Sequence, residues 1–289
     1  MKTNLHLVET LIFTIVLVLA GMSLSPDAKA RSLNNILKSK EIRICLAGSS
    51  KNFYKQNAMA FVKFLNENHA DNGLQAKYIS FEKWNDQFVK RDGTVDKEAM
   101  YIPEPLASER CDLYPNDLVK LEWRQKKLAY VDLFYSRSTI IINKTKVAGY
   151  KKIEDLAGKT AAVMEGTSYH TILENLNESE LKNNPIKIVF LPQKEAIKAV
   201  SSDKYDFAIS GADGAFWAIT NFAPKAAVAF PVGEKKRVYG WCFRKEDKDL
   251  QEAVRTFFSG QLSQIDSEIN MNWTKYIGIS LSDFALFVN

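Results

Sequence analysis

The stretch DLAGKTAAVMEGTSY, residues 155–169, decides the fold class. Asp155 and Leu156 close a short helical segment, Gly158 supplies a turn, and residues 160–164 form a run of small and branched apolar side chains. Gly166 then turns the chain again, and Thr167 and Ser168 open an amphipathic helix over 168–176. Strand, tight turn and helix make one α/β unit. The unit recurs towards the C-terminus as a strand over 186–191, a helix over 193–201, a strand over 206–210, a helix over 212–222 and a strand over 226–230. Such alternation with short links predicts mainly parallel sheets, with ligand sites at the strand carboxyl ends.

Towards the N-terminus, EIRICLA at 41–47 reads as a strand, 57–66 as a helix and 76–81 as a second strand. Residues 84–110 are irregular, and CDLYP at 111–115 looks like a further strand. STIIIN at 138–143 is β-branched and long enough to cross between two lobes, as is VYGWCFR at 238–244. An amphipathic helix follows over 249–265. The expected architecture is therefore α/β with two lobes, each a central mostly parallel sheet flanked by helices, joined by two crossing strands. Residues 31–137 and 238–289 would form one lobe and 138–237 the other.

The first thirty residues bear on the compartment. Lys2 precedes an apolar run, TLIFTIVLVLAGMSL at 10–24, and a polar stretch ends in Ala28-Lys29-Ala30. That layout predicts a cleavable secretory signal over 1–30. A membrane span needs roughly 20 apolar residues, more than this core offers. The first cysteine is Cys45, which leaves no lipid-attachment site near the cleavage point, so a free periplasmic protein is expected.

The net charge of +5 comes without any dense basic block, which argues against nucleic acid as a partner. Cys45, Cys111 and Cys242 allow at most one disulfide. Their spacing and the scarcity of histidine predict no metal site and no cofactor.

Four segments in order resemble the polar amino-acid branch of the periplasmic solute-binding proteins, family 3 with the type II fold. DLAGKTAAVMEGTSY is similar to the family's D-L-x-G-K-x-x-x-V-x-x-G-T-S segment. YDFAISGADGA at 205–215 is similar to its strand and ligand loop. VYGWCFRKEDKDLQEAV at 238–254 resembles its crossing strand and following helix, and CDLYPNDLVKLEWRQKKLAYVD at 111–132 keeps the family's separation between Asp112 and Arg124. The resemblance implies a monomer that closes around a small carboxylate-bearing ligand, most readily an amino acid, and hands it to an ATP-driven (ABC) importer. A membrane sensor is the alternative partner, and a cyclohexadienyl-dehydratase-like enzyme the alternative activity. It also makes Cys45 and Cys111 neighbours in the first-lobe sheet, able to pair.

The residues themselves say why. A carboxylate taken out of water must regain its hydrogen bonds, and the Arg124 guanidinium can return two in parallel. On sequence alone, Arg124 reads first as part of a basic helix face with Lys120, Lys126 and Lys127, and it is the family resemblance that favours ligand binding. Gly166, Thr167 and Ser168, between a strand and a helix, present first-turn N–H groups as well as hydroxyls, although capping the helix is by itself a sufficient use of Thr167 or Ser168.

The counter-charge for an ammonium group is the departure from the pattern. Ungapped alignment puts that role on Gly211, so Asp213 supplies it through a local shift, or Asp117 supplies it from the first lobe, or the ligand has no ammonium group. Phe53, Tyr54 and Tyr114 are candidate aromatic lining, whereas Trp217 and Trp241 read as core. No nucleophile, base and orienting acid are grouped, so no catalytic residue is assigned.

Overall fold

The computed structural model describes residues 31–48, 50–69, 73–82, 86–87 and 103–289. The expected signal peptide and residues 84–85 and 88–102 of the irregular stretch lie outside the described residues. From the N-terminus the elements are α1 (Leu33–Ser39), β1 (Glu41–Ala47), α2 (Lys51–Asn68), β2 (Gln75–Phe81), α3 (Glu104–Ala107), β3 (Tyr114–Val119), α4 (Glu122–Gln125) and β4 (Leu128–Asn143). They continue with β5 (Thr160–Val163), α5 (Ser168–Glu178), β6 (Lys187–Phe190), α6 (Gln193–Ser201), β7 (Phe207–Gly211) and α7 (Ala212–Asn221). The chain ends in β8 (Ala226–Arg244), α8 (Lys248–Leu262), α9 (Glu268–Ile277) and α10 (Leu281–Val288).

A six-stranded sheet has the order β3-β8-β4-β7-β5-β6, and β1 and β2 form a parallel pair beside it. β4 and β8 are antiparallel to each other and long enough to serve both lobes. Leu128–Ser136 pairs with Arg237–Arg244 in the first lobe, and Ser138–Asn143 with Ala226–Val232 in the second. Between these two ladders the register jumps, so that Arg137 alone faces residues 233–236. Gly233 takes φ +77°, in the left-handed region that favours glycine.

β5 and β7 are almost wholly apolar and buried because helices cover both faces of the second-lobe sheet. Leu173 and Leu176 of α5 pack on one face, and Ala196, Ile197 and Val200 of α6 with Ala215 and Ala218 of α7 on the other. The first lobe buries a larger aromatic core, in which α2, α8, α9 and α10 surround Trp241, Phe243 and Phe134 of the crossing strands.

β1 meets β3 without a regular ladder. A single parallel bridge joins Ile44 to Leu113, and three other devices hold the seam. Cys45 and Cys111 form a disulfide with Cα atoms 5.8 Å apart, the pairing that the family resemblance implies. Asn116 accepts from Ala47 N (3.0 Å) and donates to Cys45 O (2.8 Å), replacing backbone hydrogen bonds. The buried Asp112 carboxylate accepts from Arg43 N (2.8 Å), Arg43 Nε (3.0 Å), Arg43 Nη2 (2.6 Å) and Arg31 Nε (3.2 Å), and also from Arg31 Nη2.

Several boundaries differ from the sequence reading. The expected strand at 111–115 begins only at Tyr114, because Cys111–Leu113 are committed to the seam. The strand expected from 138 starts ten residues earlier, at Leu128, and the strands expected at 226–230 and 238–244 are one continuous β8. α1, α9 and α10 were not anticipated from the sequence.

Close approach of the crossing strands depends on Gly240, where a Cβ would lie 2.2 Å from the Val131 carbonyl oxygen. Gly240→Ala must push two paired strands apart, so it is expected to lower unfolding free energy by about 2 kcal/mol. An unchanged urea midpoint for the variant would contradict this packing.

Candidate ligand cleft

A cleft of about 1610 Å³ opens between the lobes, beyond the carboxyl ends of β5 and β7 and against the β3–α4 connection. This is where an open α/β sheet leaves its strand ends unoccupied. The volume exceeds the roughly 300–1,000 Å³ usual for a small-molecule pocket.

On the first-lobe wall, the single turn of α4 sets Arg124 into the cleft while leaving it only 4 % exposed. Its Nη1 donates to the Val119 carbonyl (2.5 Å), which also accepts from the Tyr130 hydroxyl (3.2 Å). Burial pushes the Tyr130 phenol far up, so it remains a neutral donor there. The nearby Lys120 is spent on Asp132, with both oxygens 2.9 Å from its Nζ.

On the second-lobe wall, Gly166 adopts φ +70°, and Thr167 caps α5 by accepting from His170 N (3.3 Å) while donating to Met164 O (2.7 Å). The capping reading of Thr167 therefore holds, and the first-turn N–H groups after it still lack intrahelical acceptors. Ser168 Oγ accepts from Arg237 Nη2 (2.9 Å), and the Arg237 guanidinium lies 5.9 Å from the centre of the Tyr169 ring. All three residues of the Gly166–Ser168 turn line the cleft, facing it from the lobe opposite Arg124.

Asp213 lies in the first turn of α7, where its Oδ1 accepts from Ser136 Oγ (2.6 Å). Burial raises its pKa, and the Ser136 hydrogen bond, the first-turn N–H groups of α7 and the charge of Arg237 pull the other way. A Cβ built on Gly211 would lie 2.8 Å from Asp213 Oδ1 and 3.4 Å from the Tyr169 hydroxyl. The Asp213 carboxylate thus occupies the space that a side chain at position 211 would fill, delivered there from two residues further along.

The structure brings Arg124, Gly166, Thr167, Ser168, Asp213 and Tyr54 to one cleft. It does not bring Tyr114, which is fully buried beside Cys45, Cys111 and Cys242, because its β3 position turns into the core behind the sheet. Asp117 lies on β3, and its side chain is outside the described residues. The floor is aromatic: Phe134 and Tyr239, on the two crossing strands, stack with ring centres 5.0 Å apart, and Trp273 of α9 meets Phe134 edge-on at 4.7 Å. Trp241 is core, as its sequence context suggested, while Trp217 is half-buried and lines the cleft.

Arg137, Arg237 and Ser136 were missed. They sit where β4 and β8 change register, and in the sequence their polarity looks like a loop. The signal was there in SRS at 136–138, directly before an apolar strand already assigned to cross between lobes.

Among the described residues, no group of three His, Cys, Asp or Glu side chains is placed to hold a metal ion, and no helix is long and apolar enough to cross a membrane. His170 pairs with Glu174 (3.4 Å) and Phe190.

No protein-family model matches the chain. A curated relative, membrane-bound lytic murein transglycosylase F of Desulfosudis oleivorans, is 31% identical over 104 residues; the match spans 36% of this chain and only 22% of that protein. Solved structures match over much more. A polar amino acid ABC uptake transporter substrate-binding protein from Streptococcus thermophilus superposes with a TM-score of 0.63 at 16% identity, covering 87% of this chain and 91% of its own. An ancestral cationic amino acid solute-binding protein gives 0.62 at 18%, covering 84% and 98%. The second substrate-binding domain of Lactococcus lactis GlnP, in an open conformation, gives 0.61 at 14%, covering 83% and 97%. Two lobes, two crossing strands and a cleft at the strand ends give this chain the type II periplasmic-binding-protein fold, the architecture of polar amino-acid ABC substrate-binding proteins.

Proposed function

We propose that the protein is an exported solute-binding protein whose lobes, 31–137 with 238–289 and 138–237, close around a small carboxylate-bearing ligand for delivery to an ABC importer. The observation that carries this is the placement of Arg124 on one cleft wall opposite the Gly166–Ser168 turn and the α5 N-terminus on the other. A carboxylate between them would receive charge-assisted hydrogen bonds from the guanidinium and dipolar stabilisation from the helix. Contacts shared by two lobes favour the closed form, which is what a membrane partner reads, be it a permease or a sensor.

Asp213, in the space beside Gly211, supports an α-amino acid as the ligand, its carboxylate facing the ammonium group. The fold of the solved relatives supports the same class. A second reading, an elimination enzyme on this fold, draws on the same buried carboxyl, because burial favours the protonated form that a general acid needs. Incubation with prephenate separates the two: release of product favours the enzyme, and saturable binding without turnover favours the binding protein.

Arg124→Ala is expected to raise the dissociation constant for a ligand found by thermal-shift screening at least tenfold, with the far-UV circular dichroism unchanged. Unaltered affinity in a folded variant would remove Arg124 from the site.

A further inference from the structure

The cleft carries more positive charge than one carboxylate needs. Its described lining includes Lys120, Arg124, Arg137, Lys236 and Arg237 against the carboxylates of Glu180 and Asp213. Lys120 is neutralised by Asp132, but Arg137 and Arg237 form no ion pair among the described residues. Arg137 Nη2 donates to the Gly233 carbonyl (2.9 Å) and Arg237 Nη2 to the Ser168 hydroxyl (2.9 Å), both neutral acceptors. The Arg137 Nε is enclosed, with no hydrogen-bond partner. Both guanidiniums stand on the crossing strands where the register jumps, and both line the cleft.

Closing the lobes would take these two cations out of water, and a desolvated guanidinium needs an anionic partner. Asp213, the acid whose field reaches Arg237, is already engaged by Ser136. Among the described residues, this end of the cleft holds one carboxylate, Asp213, and two arginines.

We infer that the ligand carries two anionic groups, the second one a carboxylate held by Arg137 and Arg237 at the crossing strands. The inference rests on the proposed carboxylate-binding role of the cleft and narrows it to dicarboxylates, with an acidic amino acid as the form that also uses Asp213. Arginine suits the task because its planar fork can grip a carboxylate with two parallel bonds.

Calorimetric titration with matched pairs tests it: L-glutamate against L-glutamine, and succinate against succinamate. The dicarboxylate of at least one pair is expected to bind at least tenfold more tightly than its amide. That ratio is expected to fall towards one in Arg237→Gln and in Arg137→Gln, and to be retained in Arg237→Lys. Tighter glutamate than succinate adds the ammonium group, and the reverse removes it. If amides bind as well as acids, or the ratio survives both glutamine substitutions, the second subsite is overturned while the carboxylate cleft stands. If neither acids nor amides bind, and no amino acid shifts the melting temperature, the proposed function fails with it. Circular dichroism of each variant excludes misfolding as the cause.

Discussion

A Cys45→Ala/Cys111→Ala variant is expected to lose about 4 kcal/mol of unfolding free energy relative to the oxidised protein. The bond joins residues 66 apart in sequence, and closing a loop of that length in the unfolded chain removes entropy worth roughly that amount at 25 °C. For a chain of this size the melting temperature would fall by roughly 10 °C. Alanine is the better replacement here, since both sulfurs are fully buried and a serine hydroxyl would be left without a partner. Reduction of the wild-type protein should reproduce the loss. Thiol titration of the denatured, unreduced chain should find one reactive group, because Cys242 stands outside the bond. An unchanged urea midpoint, or three titratable thiols, would contradict the pairing.

Asp112→Asn is expected to cost about 3 kcal/mol at neutral pH, the range for breaking a buried ion pair by removing one partner. The Asp112 side chain is fully buried, while those of Arg43 and Arg31 keep 12 % and 21 % exposure and so retain some water when stranded. Burial alone would raise the carboxyl pKa, but the hydrogen bonds from Arg43 and Arg31 outweigh it and hold the group below its ordinary 3.8. The unfolded chain therefore binds the proton more tightly than the folded one. The stabilisation is complete above about pH 4 and is lost as the pH falls through the lowered folded value. The difference between wild type and Asp112→Asn in urea unfolding should accordingly shrink in acid. A difference that stays constant from pH 7 down to pH 2 would show that the charge is not what holds the seam.

The α/β alternation from residue 153 to 222 was legible because each element is short and the chain marks its ends. Gly158, Gly166 and Pro192 punctuate it, and α6 runs over the very residues, Gln193–Ser201, that periodicity indicated. The crossing strands were only half legible. Local pattern rewards unbroken apolar alternation, whereas β4 and β8 carry Asp132, Ser136, Arg137 and Arg237 along their shared middle, and tertiary structure alone brings Arg137 and Arg237 to the cleft. α9 and α10 owe their packing to the aromatic core of the first lobe, a partner that no local window reveals. Arg124, the Gly166–Ser168 turn and Asp213, expected from family resemblance and the chemistry of their residue types, all line one cleft. Tyr114 was misplaced because the β3 strand begins three residues late, and burial in a sheet depends on register.

The mismatch of Arg137 with residues 233–236 sets how the molecule deforms under load. The ladder also shifts register at 132–134 and 139–141, but the run 233–236 is its longest break, and in such a series strain collects in the least paired member. A rotation of one lobe against the other about this break would let each sheet keep its own shape. Arg137 and Arg237 stand at that break, one on each crossing strand.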